Sequence, residues 1–335
     1  MEKIMTIIDT QPKPDVPRKR LEFIDILKGF LIIMVVIGHS PNLIPKIHHY
    51  IFWFHMPAFL MVSGLFLKTS YILKDELKKK FIRLVIPYLF FSILLGTIAR
   101  KGNLFKQIIG TIWGGNANVT YCTFPYYFIN MLFCTFCLYY ILYSLKCFSK
   151  HKWGITVALY VVIHLVACYL PDSLLGWLPW NFDLSINALL YLMIGKKIAK
   201  RGQYLSCNNL VCSVIILVMI FALDCGNFYI YNYDMKHHVW MMGLDVILPI
   251  ACMNILFAIS IFVSKLSFLN RLLSYIGKCS LVILLLHPLF IKIYSYMFDN
   301  ISSLIPLLVN VLSCMFVHWL FGRNKYSRMM IGENR

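Results

Sequence analysis

The stretch RLEFIDILKGFLIIMVVIGHS, residues 20–40, decides how this chain is built. It is apolar over a length that suits a membrane-spanning helix of about 20 residues. Yet it carries Asp25, Lys28 and His39. An ionisable group in hydrocarbon costs about 2.5–3.5 kcal/mol by insertion scales, so each one points to a functional site. Polar and charged residues precede the stretch and no small-residue cleavage site follows it, so the helix is expected to be retained rather than removed as a signal peptide. Asp25 and His39 stand fourteen positions apart, which is about 21 Å along a straight helix and within about 40° of the same direction. Two readings fit that spacing. In one, the pair marks the two ends of a polar groove crossing the membrane. In the other, His39 is an interfacial histidine and Asp25 simply pairs with Lys28 at i+3.

The rest of the chain has the same character. Of 335 residues, 60% are hydrophobic and 14% charged, against about 25% charged in an ordinary soluble domain. Long apolar stretches recur at 23–41, 51–67, 84–99, 125–145, 154–170, 183–195, 208–224, 243–263, 280–296 and 304–321. The expected architecture is therefore all-α and polytopic, a bundle of about ten transmembrane helices with both termini cytoplasmic. It divides into a basic tail at 1–20, a membrane domain at 21–322 and a second basic tail at 323–335. The net charge of +18 invites a nucleic-acid reading, but its distribution argues against one. With the N-terminus inside, 26 of the 32 Lys and Arg fall on cytoplasmic segments, which is the positive-inside pattern.

Between the spans, the tail with Pro12, Pro14 and Pro17 ends in Arg18-Lys19-Arg20, a cluster suited to anionic headgroups. Residues 68–83 place apolar and basic residues at helical spacing, as in an amphipathic helix on the membrane surface. Two aromatic-rich loops, 111–126 and 225–240, suit either an interfacial belt or a surface on which a sugar ring stacks. Sequons at Asn118 and Asn300 are short matches that arise often by chance. Eleven cysteines are scattered without metal spacing, so no metal site is expected; Cys134 and Cys137 form a CxxC inside a span, where a small buried hydrophobe is the plainer reading.

Four segments carry polar chemistry. The first is the opening helix. The second, Phe54-His55-Met56-Pro57 to Ser63-Gly64, sets a histidine and a proline early in a span and two small residues late in it. Packing of closely approaching helices accounts for the small pair, and His55 suits either an outer-leaflet partner for His39 or an interfacial histidine. The third is Lys80-x-x-Arg83 before Ile86-Pro87-Tyr88, where a guanidinium at the boundary suits phosphate. The fourth runs from Gly277-Lys278 to Leu286-His287-Pro288, and a mid-span histidine should face the bundle interior.

Taken together and in order, these segments resemble the acyltransferase-3 family of integral membrane acyltransferases. The matching residues are Arg20, Asp25, Lys28-Gly29 and Gly38-His39; the FHMPxFxxxSG element at 54–64; and Arg83 before Ile86-Pro87-Tyr88. Phe124 to Phe128, Leu178-Pro179-Trp180 leading to Leu192–Gly195, and Gly277 to His287 extend the likeness over most of the chain. The Leu-Pro-Trp and FHMP elements look most like the fucose 4-O-acetylase-like branch. Two departures stand out: the family's Arg-x-x-Arg reads Lys80-x-x-Arg83 here, and Tyr126–Phe128 replace a frequent Trp-Phe pair.

The resemblance implies an O-acyltransferase that moves an acyl group, usually acetyl, from cytoplasmic acyl-CoA to a hydroxyl of a cell-envelope or exported glycan, often on a lipid carrier. It carries the essential pair onto His39 and Asp25, with His39 as general base. Arg83 and Lys80 are expected to hold the CoA phosphates, and His55, Trp180 and His287 to contact the acceptor. Acyl-CoA is then a substrate, with no permanently bound cofactor. The expected location is a multi-pass protein of the cell membrane, the inner membrane of a bacterium. The rival expectation is a transporter or flippase of lipid-linked glycan, which would also use intramembrane ionisable groups and helices broken at Pro57 and Pro288. No matching pair of interrupted segments in two halves supports it.

Overall fold

The computed structural model describes residues 21–40, 45–67, 73–145, 152–169, 176–201, 206–225, 235–236, 243–297 and 304–333, and these are helical with no strand among them. Each expected span coincides with a helix: α1 (Glu22–Gly38), α3 (His55–Leu65), α5 (Ile86–Ala99), α7 (Tyr127–Ser144), α8 (Lys152–Tyr169), α9 (Phe182–Arg201), α10 (Cys207–Cys225), α11 (Leu244–Val263), α13 (Ser280–Met297) and α14 (Leu304–Phe321). Shorter helices lie between them: α2 (Pro45–Phe52), α4 (Leu73–Lys80), α6 (Leu104–Trp113), α12 (Ser267–Lys278) and α15 (Lys325–Met330). Among the described residues five helical stretches are long and apolar enough to cross a membrane: Lys74–Ala99, Phe124–Ser144, α10, α11 and α13.

The burial pattern is that of a protein solvated by lipid. Large apolar side chains such as Ile98, Val162, Val218, Phe262 and Phe316 are more than half exposed, a surface no soluble monomer would present to water. The interior, in contrast, is threaded with polar groups. The result is an all-α, multi-pass membrane bundle.

Where helices cross, glycine sets the approach. A Cβ on Gly277 of α12 would fall 2.8 Å from the Asp25 carbonyl carbon and 3.0 Å from the Gly29 nitrogen, both backbone atoms of α1. One on Gly195 of α9 would fall 2.7 Å from the Met61 carbonyl carbon of α3, and Gly64 of α3 meets the Leu192 backbone reciprocally at 3.0 Å. Two helix pairs, α1 with α12 and α3 with α9, are thus in backbone contact. This is the packing expected of small residues in membranes, where van der Waals contact drives association.

Two buried polar clusters fix the other elements. Gln107 of α6 donates through Nε2 to the Ser92 carbonyl at 2.9 Å and to Asn118 Oδ1 at 2.8 Å, while Asn118 Nδ2 donates to the Tyr88 hydroxyl at 3.1 Å. Asn118 is buried, so this sequon is engaged in packing. In the second cluster Asp245 of α11 accepts from the Tyr160 hydroxyl at 2.5 Å and lies 2.9 Å from His164 Nε2, both on α8. Asp245 is fully buried, so the carboxylate depends on these partners.

The surface helix expected at 68–83 is α4, which continues through a π-helical turn, Phe81–Val85, into α5. Residues 323–333, expected as a tail, pack back on the bundle: Ile331 is buried, and Gly332, at φ +76°, rests on the Arg83 carbonyl. Cys134 and Cys137 are free thiols on α7. The basic tail 1–20, the sequon at Asn300 and most of the 225–240 loop lie outside the described residues.

Candidate active site

His39 terminates α1 as its C-cap, at φ −95° and ψ 7°. Helical geometry stops there because Gly38 precedes it and the chain turns back through Ser40, whose hydroxyl donates to the Val36 carbonyl at 2.9 Å. The His39 ring is thereby projected sideways off the helix end, into an aromatic box. Its edge meets Phe124 at 4.8 Å and Phe52 at 5.9 Å between ring centroids.

The decisive contact spans 248 residues of sequence: His39 Nδ1 lies 3.0 Å from His287 Nε2, with the rings near parallel at 20°. The direction of this hydrogen bond follows from the other side of His287. Its Nδ1 is 2.8 Å from the Ile283 carbonyl, and a carbonyl only accepts. Nδ1 of His287 therefore carries the proton, and in a neutral ring Nε2 is bare. It accepts from His39 Nδ1–H, which leaves the lone pair of His39 on Nε2. A relay from a main-chain oxygen through one imidazole to a second thus fixes the tautomer of the second, the orienting role a carboxylate fills in other sites.

Other groups hold this pair in register. His287 is fully buried on α13, one residue before Pro288, whose missing N–H leaves the local helix ladder incomplete. Asn310 of α14 donates to the His287 carbonyl at 3.1 Å. The Tyr126 hydroxyl donates to the Leu285 carbonyl at 2.8 Å. Phe124 packs against both imidazoles, 6.2 Å from His287. Phe124, Tyr126 and Asn310 escaped the sequence reading as supports of the pair. For Asn310 a signal existed, since an amide inside an apolar span is itself unusual.

The remaining candidates fall elsewhere. His55 is buried and, with the half-buried His48 and Lys236, lies near enough to His39 to act on it electrostatically. However, His55 Nδ1 is bonded to the Ile51 carbonyl at 2.7 Å, and the ring partner of His39 is His287, not His55. Trp180 donates from Nε1 to the Ile112 carbonyl at 2.7 Å and occupies a left-handed conformation at φ +56°. It joins the site at a distance, through Tyr88 at 5.8 Å and from there Tyr126 at 6.2 Å.

Asp25 sits at the far end of α1, buried, with Lys28 Nζ 3.6 Å from its Oδ1. The i+3 pairing is therefore present. Asp25 also lines a cavity of about 520 Å³ shared with α12. Between Asp25 and His39 the same face of α1 carries Ile32 and Val36, both buried in the core. The stripe expected as a polar groove is packed with apolar side chains in this conformation. Arg83 lies exposed in the π-helical turn, and Lys80 holds its ammonium 4.1 Å over the Phe136 ring. Neither lines the cavity at Asp25. Among the described residues no cluster of three His, Cys, Asp or Glu is placed to hold a metal.

Over 115 residues the chain is 30% identical to the nodulation protein NolL of Sinorhizobium fredii, a match that covers 27% of this chain and 31% of that protein. The chain therefore spans under a third of the length of this relative. No solved structure matches it. The acyltransferase-3 family, described as an acyltransferase domain, matches residues 21–322, an interval holding every residue of the His39–His287 site and the cavity at Asp25. This chain belongs to the acyltransferase-3 family of membrane acyltransferases.

Proposed function

We propose that this protein is an O-acyltransferase of the cell membrane that moves an acetyl group from cytoplasmic acetyl-CoA to a glycan hydroxyl on the outer side. The single observation that carries the proposal is the relay from Ile283 through His287 to His39. It leaves His39 Nε2 unprotonated and aimed away from its partner, as a general base requires. The acceptor hydroxyl loses its proton to Nε2 as its oxygen attacks the thioester carbonyl. A C–O bond forms, the C–S bond breaks, and the His39 imidazolium returns the proton to the departing thiolate.

Base catalysis of this kind contributes about 10²–10⁴-fold. Positioning of donor and acceptor supplies much of the remainder. The aromatic rings around His39, Phe52 and Phe124, offer apolar faces to a sugar ring. Asp25 and Lys28 order the inner entry of α1. Because Ile32 and Val36 fill the face between the two ends, delivery of the acyl group requires α1 to part from a neighbour there, a step distinct from the chemistry.

The test uses purified protein in detergent with labelled acetyl-CoA and a panel of glycans. Acetyl transfer without a membrane compartment supports an enzyme and excludes pure transport. His39→Ala should abolish it almost completely, and wild-type rates from that variant refute the base assignment. Mass spectrometry of glycans from a deletion strain, read for a missing acetyl increment, identifies the acceptor.

A further inference from the structure

The cavity between α1 and α12 holds charges that the catalytic relay does not use. On α12, Ser267, Arg271, Ser274 and Lys278 share one face and line it, with Asp25 and Glu22 of α1 opposite. Both carboxylates are engaged. Asp25 faces Lys28, and Glu22 Oε2 accepts from Asn270 Nδ2 at 2.9 Å. Among the described residues neither Arg271 nor Lys278 has an ion-pair or hydrogen-bond partner. Two cations thus border a volume of about 520 Å³, within the roughly 300–1,000 Å³ of small-ligand sites, and between them stands Ser274, whose hydroxyl donates to Asn270 Oδ1 at 3.0 Å.

We propose that this cavity binds a phosphate-bearing ligand, the phosphorylated nucleotide end of the acyl donor, with Arg271 and Lys278 as its charged contacts. The inference rests on the acyl-CoA reading given above and assigns the donor to α12 rather than to Arg83 and Lys80. Phosphate chemistry could equally come from an anionic lipid headgroup, since the exposed Phe268, Leu269 and Leu272 on another face of α12 set this helix at the bilayer boundary. The spacing favours the nucleotide. Arg271 and Lys278 are two turns apart, about 10.5 Å along the axis, a separation suited to several phosphates. The location fits as well: Glu22 and Asp25 of α1 line the cavity, so a ligand here lies against the entry of the helix that ends in His39.

The experiment measures binding of CoA and of adenosine 3′,5′-bisphosphate to full-length protein by calorimetry in nanodiscs of phosphatidylcholine or phosphatidylglycerol. Both cations are exposed, so the double variant Arg271→Gln/Lys278→Gln should fold, and its melting curve checks this. The Kd for both ligands should rise at least tenfold, while Lys265→Gln, an exposed cation that does not line the cavity, leaves it unchanged. His39→Ala should retain wild-type CoA affinity, which separates the donor site from the chemistry. Unchanged CoA affinity in the double variant overturns the assignment and leaves the acyltransferase reading standing. An equal fall in Lys265→Gln means general surface charge and overturns it too. A variant that keeps CoA affinity but loses a preference for phosphatidylglycerol marks a lipid site. Wild-type protein that binds no CoA overturns the donor reading together with the site.

Discussion

Gly277→Ala isolates the backbone contact between α1 and α12. The added Cβ would stand 2.8 Å from the Asp25 carbonyl carbon and 3.0 Å from the Gly29 nitrogen, against about 3.5–4.0 Å for carbon atoms at optimal separation. Both obstacles are main chain, so no rotamer change relieves them. The α1 and α12 axes must separate by about 1 Å. Overpacking of this kind costs about 1–3 kcal/mol, and rigid backbone on both sides puts Gly277 at the upper end. Gly154→Ala is the matched control: it lies within α8, and its Cβ would meet nothing within 4 Å. There the same substitution should stabilise by up to about 1 kcal/mol through helix propensity alone. Reversible unfolding in mixed micelles, read by tryptophan fluorescence, should therefore move in opposite directions for the two variants. If Gly277→Ala unfolds with Gly154→Ala or after it, the backbone contact between α1 and α12 is not as described.

Two further outcomes follow from the buried polar groups. His287→Ala removes the acceptor that holds His39 Nδ1–H, so kcat for acyl transfer should fall by about 10²–10⁴-fold with KM for the donor little changed; a shift confined to KM would place His287 in binding instead. Asp245→Asn leaves His164 and Tyr160 of the buried cluster without their carboxylate, and breaking a buried pair costs about 3–5 kcal/mol. The variant should unfold well before wild type in the same micelle assay, and equal midpoints would show that the cluster carries little stability.

The architecture was legible because a span must be long and apolar, and such runs stand out whatever packs against them. All ten expected spans coincide with helices for that reason. Short-range chemistry was legible too. The Asp25–Lys28 pair follows from i+3 spacing, and Gly64 is a packing element against α9. What spacing along one helix cannot convey is which residue arrives from another. His39 stands out by its charge, but its partner His287 lies 248 positions away, and His55, nearer in sequence, bonds the Ile51 carbonyl of α2. The Asp245–His164–Tyr160 cluster was overlooked although its signal was present. An aspartate and a histidine inside apolar spans are as conspicuous as Asp25 and His39. The sequence gives no sign that the Trp180 indole N–H bonds the Ile112 carbonyl.

The paired glycine crossings also constrain how the molecule moves. Helices whose backbones touch do not slide or roll past one another without collision, so α1 travels with α12 and α3 travels with α9 as two rods. Any opening that lets a substrate reach the end of α1 must then part side-chain contacts, such as those of Ile32 and Val36, rather than these backbone crossings. Cross-links within either rod should therefore leave turnover untouched.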